Sequence, residues 1–456
     1  MSDPLQSSVG ENEWLLFTRP SLVVTPPVSW TAAENIGELK STTTFNDEVP
    51  PLPSGLLFVS HDGSRTGAPI ALLRFLRWAT SQPGAARPEI VLVNDGPLRA
   101  EFAEVGRVTT LWSEDSGPFS RRLRRVLRRT NLAAHGDRLR LTRQLGNMAR
   151  FRLAYFNSVA SAPLLRYLSL PRQLPLIAHI HEMSYALSHD VDPVDRDLLL
   201  ARADHFFTAG EASRNGLIQD YGINPTNVEA IGGFLPIAEL VAHQPVLGRS
   251  QLLEQLSLPS NALLVGACAT RNWRKGTDLF IQMAAHTRRT APDRPIYFVW
   301  VGGDAGRVYQ DQLDFDVRHS GLTDRIRFVD TVASAIDYLQ AFDIFCLPSR
   351  EDPFPLVCLE AAAFGKAIVC FDVGGMSTFV GDECGIVVEA EDIAAMSGAV
   401  LSLLDQPERA ASLGRAGCSK VQRDHDIAVI GPSLLAGIHH QIAQSTRISS
   451  AGSYAP

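Results

Sequence analysis

Two carboxylates stand eight positions apart in the stretch Leu347 to Val369, LPSREDPFPLVCLEAAAFGKAIV. Asp352 lies in a turn marked by Pro353 and Pro355, and Glu360 in the helix-like run LVCLEAAAFG that follows. The apolar run IFCLPS before them reads as a strand. A strand that ends in a turn and opens a helix suits phosphate, because first-turn N–H groups lack intrahelical partners and the dipole is positive there. A carboxylate in the turn and another about one turn into the helix can then bracket a sugar and a ribose through their hydroxyls.

Four other turns carry chemistry of the same kind. ACATRNWRKGTDLF follows a strand and opens a helix at Gly276 and Thr277, which puts Lys275, with Arg271 or Arg274, where cations neutralise a diphosphate. VWVGGDAG is strand, turn and helix, and Gly302 and Gly303 let backbone approach a ligand. SHDGSRTGAPIALL places Gly67, Arg65 and His61 at a polar turn, with Ser64 or Thr66 as helix cap. IAHIHEMSY ends a strand at His181 and Glu182, while His179, deeper on the same face, reads as a buried, hydrogen-bonded residue. Gly374 and Gly375 read as shaping a cleft. Asp314-Phe-Asp316 sits in a helical pattern, away from a strand end, and no His/Cys cluster, P-loop or Ser-His-Asp elbow is present.

The stretch Asp352-x7-Glu360, with Ala361 and Gly365 after it, resembles the signature of family-4 glycosyltransferases (glycosyl transferases group 1). The family usually has Glu where Asp352 stands, and an Arg where Thr270 stands. The resemblance covers about residues 56 to 430 and is strongest from 262 to 405. It implies an α/β fold of the GT-B type, two Rossmann-like doubly wound parallel-sheet domains facing across a cleft. It implies transfer of a sugar from a nucleotide sugar to a hydroxyl of a glycan, lipid-linked or small-molecule acceptor, with retention and without metal or other cofactor. On these terms Asp352, Glu360, Lys275 and His181 are the catalytic residues. Arg271, Arg274, Gly302, Gly303, Phe354, Leu356 and Val357 bind the donor, and Gly67, Arg65 and His61 face the acceptor. A nucleotide sugar and a glycan or lipid-linked acceptor are the expected partners. A catalytically silent nucleotide-binding subunit and a nucleotide-sugar epimerase are the alternatives.

The elements that must hold these residues are legible as alternating apolar strands and helical runs, the pattern of a parallel doubly wound sheet. LLFVS, EIVLV, RVTTLW, LAYFNSV, PLIAHI, HFFTA and VEAIGG form one series; ALLVGACA, IYFVWVGG, IRFVD, IFCLPS, AIVCFD and GIVVE form a second. Residues 1–53 read as an extension, 54–237 as the acceptor domain and 238–428 as the donor domain. Residues 429–456 read as a helix that returns to the first domain, plus a tail. Pro236 to Gly248 reads as a linker with little pattern.

At 456 residues, 45% apolar and 20% charged, the chain is long enough for two globular domains. Its net charge of −7 excludes a global attraction to nucleic acid. Six cysteines without a CxxC pair read as buried free thiols in a reducing compartment. With no apolar run of membrane-spanning length and no signal-peptide pattern, a cytoplasmic location is expected. The arginine-dense run from 121 to 152 reads as a solvated helix or as a contact with anionic membrane on the inner face.

Overall fold

The structure, a computed structural model, describes residues 50–112, 131–242, 245–303 and 306–451. Seven parallel strands make the first sheet: β1 (Leu56–Ser60), β2 (Glu89–Asn94), β3 (Arg107–Trp112), β4 (Leu153–Asn157), β5 (Leu176–Ile180), β6 (His205–Thr208) and β7 (Val228–Ala230). Their order is β3-β2-β1-β4-β5-β6-β7. Six make the second: β8 (Leu263–Cys268), β9 (Ile296–Val301), β10 (Ile326–Val329), β11 (Ile344–Leu347), β12 (Ala367–Phe371) and β13 (Gly385–Val388), in the order β10-β9-β8-β11-β12-β13. Every residue of β1, β4, β5, β11 and β12 is buried. Helices cover both faces of each sheet, which is why these strands are unbroken apolar runs rather than alternating ones.

Both sheets reverse direction once. The chain steps outward from β1 to β3 and returns to β4 on the other side of β1, with Phe58 of β1 opposite both Ile90 and Tyr155. It does the same from β8 to β11, where Phe345 pairs with Gly266. Connections leaving the two central strands part in opposite directions, so a crevice opens at their carboxyl ends. The candidate residues lie at these two crevices.

The helix Ile427–Ala451 runs back over the first sheet, where Leu434, Leu435, Ile438 and Ile442 join Phe58, Phe75 and Phe207 in one core. The outward and return crossings lie side by side. Leu235 N–H donates to the His425 carbonyl, and Ile427 N–H donates to the Leu235 carbonyl. The expected patternless linker is in part a helix, Ile237–Ala242, because Ile237 and Leu240 bury one side of it against the second domain. The six cysteines are free thiols, four of them buried. Residues 121–130 of the arginine-dense run lie outside the described residues, and the helix Asn131–Leu145 continues it. No helix among the described residues is long and apolar enough to cross a membrane.

Candidate active site

At the second crevice the turns after β8 and β11 are locked together. Gly276 has φ +71°, and a Cβ there would stand 1.8 Å from the Pro348 carbonyl oxygen. Only glycine allows that approach. Asn272 Oδ1 accepts from the Lys275 N–H at 2.9 Å and shapes the turn. Lys275 Nζ is ion-paired with Asp352, which is 4% exposed and also accepts from Ser349 Oγ at 3.3 Å. Two glycines back this turn: a Cβ on Gly374 (φ +64°) would meet the Asp352 carbonyl oxygen at 1.7 Å, and one on Gly375 the Pro353 carbonyl oxygen at 2.4 Å. Their part is to let the turn lie against the helix Gly374–Val380.

The two arginines of the basic turn diverge. Arg271, 3% exposed, sends its guanidinium toward β10, to Asp330 at 2.8 Å and the Val329 carbonyl at 3.3 Å. β10 lies on the far side of β9, so the structure does not bring this side chain to the Lys275–Asp352 pair. Arg274 Nη1 donates to the Glu351 carbonyl at 2.8 Å and so braces the carboxylate turn from beside it. Gly302 (φ +139°) lies against the Ala269 carbonyl, and the Gly303 carbonyl accepts from the Arg271 N–H at 2.7 Å. The glycine turn is thereby stitched to the basic turn.

Glu360 lies on the helix Leu356–Ala363, which opens right after Pro355. Its carboxylate is taken by Arg74 of the first domain, Nη2 to Oε1 at 2.6 Å. Burial pushes the Cys268 thiol up to about 12, with Glu360 adding to the rise and Lys275 opposing it, so both charges bear on the end of β8. A second carboxylate also crosses the cleft. Glu351 Oε1 accepts from the Tyr185 N–H at 2.8 Å, at the start of the helix Ser184–His189. Phe354, expected at the donor, instead packs beside the chain crossings, its ring 5.2 Å from His425 and 6.3 Å from Phe379. Leu356 touches the cores of both domains, and Val357 packs on the second. What Leu356 and Val357 offer the cleft is the helix N-terminus, not their side chains.

At the first crevice His181 follows β5. Asn157 Nδ2 donates to the Ala68 carbonyl at 2.9 Å, so its Oδ1 must accept from His181 Nε2, also at 2.9 Å. The proton is therefore on Nε2, and Nδ1 carries the lone pair. Burial, with His61 adding, lowers the His181 pKa to about 3 and keeps the ring neutral. His179 is buried 4.0 Å from the His181 ring, and its Nδ1 meets Tyr155 Oη at 2.7 Å. Glu182 is held by the N–H groups of Val159 and His181 and by Ser158, whose φ of +79° is strained for a non-glycine residue. Burial still raises the Glu182 pKa. Arg65 is turned away to Glu101, at 2.8 Å. Thr66 precedes the helix Gly67–Ser81 without capping it through its side chain, because its hydroxyl pairs with Ser64. Gly67 faces open space.

The low His181 pKa has a sign that can be tested. The unfolded ring takes up a proton near pH 6.5 and the folded ring near 3, so its stabilising effect is present above about pH 6.5 and is lost as pH falls toward 3. His181→Asn is expected to lose less of its urea midpoint than the parent between pH 7 and pH 5. Equal losses would remove His181 from the acid response.

Sequence reasoning missed Arg74 and the bridging role of Glu351. One signal for Arg74 was present: the helix GAPIALLRFLRWATS contains no Asp or Glu, so its arginines must find carboxylates elsewhere. Among the described residues no group of three or more His, Cys, Asp or Glu is arranged to hold a metal ion.

Two facing doubly wound domains with the candidate residues at both switch points define a protein of the GT-B fold class. HepE of Anabaena, solved with UDP and glucose, superposes with a TM-score of 0.68 at 19% identity, over 84% of this chain and 99% of that one. Sucrose-phosphate synthase of Thermosynechococcus elongatus gives 0.64 at 20% identity, over 86% and 99%. Residues 259–406 match the family described as Glycosyl transferases group 1. In sequence the chain is 31% identical over 193 residues to the lipopolysaccharide core biosynthesis mannosyltransferase LpsB of Rhizobium meliloti, covering 40% of this chain and 53% of that protein. It is 27% identical over 274 residues to the D-inositol 3-phosphate glycosyltransferase of Kineococcus radiotolerans, covering 55% and 62%. The chain thus spans just over half of the length of these curated relatives.

Proposed function

We propose that the protein transfers a sugar, with retention and without metal, from a nucleotide sugar to a hydroxyl of a glycan or lipid-linked acceptor. The observation that carries this reading is the pairing of two cleft carboxylates with cations, Asp352 with Lys275 and Glu360 with Arg74. A nucleotide sugar offers both halves of an exchange. Its diphosphate satisfies the cations and its hydroxyls satisfy the carboxylates, so no charge is stranded when the pairs open. Lys275 and the N-terminus of the helix Leu356–Ala363 then stabilise the negative charge that grows on the departing diphosphate. Glu360 accepts from the ribose and Asp352 from the sugar. The acceptor approaches from the first domain, where Gly67 leaves room, while neutral His181 Nδ1 accepts a hydrogen bond from a hydroxyl of the transferred sugar. Retention is met by front-face attack with the leaving phosphate oxygen taking the proton. We place the reaction in the cytoplasm, with any contact to an anionic membrane made by the arginine-dense run.

Thermal unfolding of the pure protein with UDP, GDP, ADP, TDP and their sugar conjugates tests the reading. A ligand at a hundred times its dissociation constant adds about 2.7 kcal/mol. The expected result is a selective shift with one nucleotide, UDP being the first to try because HepE was solved with it. No shift with any of them would overturn the reading, and a shift without turnover under any acceptor would favour the silent nucleotide-binding subunit.

A further inference from the structure

Large apolar side chains exposed on a soluble protein are ordinary when scattered and informative when gathered. Among the described residues eight such side chains are exposed, and four of them, Tyr185, Trp273, Val308 and Phe315, gather beside the candidate cleft. Trp273 lies two positions before Lys275. Its ring is 5.5 Å from Tyr185 of the other domain, and the Arg350 guanidinium lies over it at 4.9 Å. From Trp273 a cavity of about 650 Å³ extends along the helix Arg307–His319, with Val308, Tyr309 and Phe315 on its walls. That volume falls within the range of about 300–1,000 Å³ usual for small-ligand sites.

The charged groups that line this cavity are carboxylates, Asp278, Asp311 and Asp316, of which Asp278 is already paired with Arg350. Among the described residues Asp311 has one long ionic contact, 3.9 Å to Arg307, and its side chain is 69% exposed. Asp316 and Gln312 line the same wall. Carboxylates here repel phosphates, anionic headgroups and nucleic acid, and they take hydrogen bonds from hydroxyls. Aromatic faces beside them suit the C–H faces of a pyranose ring. Flat apolar rings with hydroxyl acceptors between them are complementary to a neutral saccharide chain.

We propose that this cavity is a saccharide subsite, which holds sugar units of the acceptor glycan beyond the one that reacts. The inference deepens the transfer reading and rests on it for the direction of the chain: Trp273 and Tyr185 form the shelf over which the glycan passes from the cleft to Tyr309 and Phe315. It commits the acceptor to a neutral oligosaccharide at the units next to the reacting end. The Asp314-Phe-Asp316 triplet, which has the look of a metal motif in sequence, serves here through Phe315 and Asp316.

The test uses the full chain, Phe315→Ala and Asp316→Asn, neither of which touches the Lys275–Asp352 turn. Isothermal titration with cello-, manno-, xylo- and malto-hexaose and with glucose is run beside the nucleotide thermal shift. At least one hexaose is expected to bind more tightly than glucose, and each substitution to weaken it by about tenfold. The nucleotide shift is expected to stay at the parental value. Absence of hexaose binding, or equal binding by parent and variants, overturns the subsite. So does flotation with phosphatidylcholine vesicles that is lost in Phe315→Ala, which would assign the patch to lipid. A missing nucleotide shift in the parent counts against the transfer reading alone, because hexaose binding is read without donor.

Discussion

Lys275→Ala is expected to lower sugar transfer at least about tenfold and to destabilise the fold at the same time. The two effects have separate causes. The stability loss comes from Asp352, which among the described residues keeps only the 3.3 Å contact from Ser349 Oγ once its cation is gone. Stranding a buried carboxylate in this way costs about 3–5 kcal/mol. The loss of rate comes from the missing charge at the diphosphate. Lys275→Ala/Asp352→Ala separates them, because it removes the stranded charge along with its partner. The double variant should recover much of the denaturation midpoint and none of the turnover. Parental turnover in Lys275→Ala would remove the lysine from the donor site, and recovery of both properties in the double variant would make the pair structural only.

Gly276→Ala is expected to be nearly as damaging through the backbone alone. An alanine at φ +71° costs about 1–2 kcal/mol, and forcing its Cβ against a carbonyl adds about 1–3 kcal/mol. The Cβ would stand 1.8 Å from the Pro348 oxygen, so strain is relieved only by parting the turn of Lys275 from the turn of Asp352. Stability should fall by about 2–5 kcal/mol, and transfer should fall with it. Gly67→Ala is the control, since a Cβ there meets nothing within 4 Å. Urea denaturation of the two variants decides the matter: a Gly276→Ala protein as stable as Gly67→Ala would show that the turns need not touch.

The strands were legible because parallel strands buried on both faces are apolar throughout, and runs such as LLFVS and AIVCF are that pattern without interruption. The helix Ile237–Ala242 was not, because six residues with two buried side chains carry no period. At the site, spacing showed which turns carry the charges, those of Lys275 and Asp352 among them, but that these turns follow neighbouring strands emerges only from the sheet order. Spacing held no information about where a long side chain turns. Arg271 has the right position for a phosphate and spends its guanidinium on Asp330, while Arg65 spends its own on Glu101. The pairing of Arg74 with Glu360 joins residues 286 positions apart in two domains, and only the packing of those domains creates it. Phe354 shows the same limit: a side chain beside a motif can serve the chain crossing instead.

The helix Ile427–Ala451 has a consequence for how the chain is made. Synthesis proceeds from the N-terminus, and domains generally fold as they emerge. Here all seven strands of the first sheet emerge before the second sheet begins, yet Leu434, Leu435, Ile438 and Ile442, which cover one face of that first sheet, come after β13. The domain that is translated first is therefore completed last. While the second domain is being made, the apolar surface around Phe58, Phe75 and Phe207 waits uncovered on the nascent chain, and that interval is when a chaperone would be needed most.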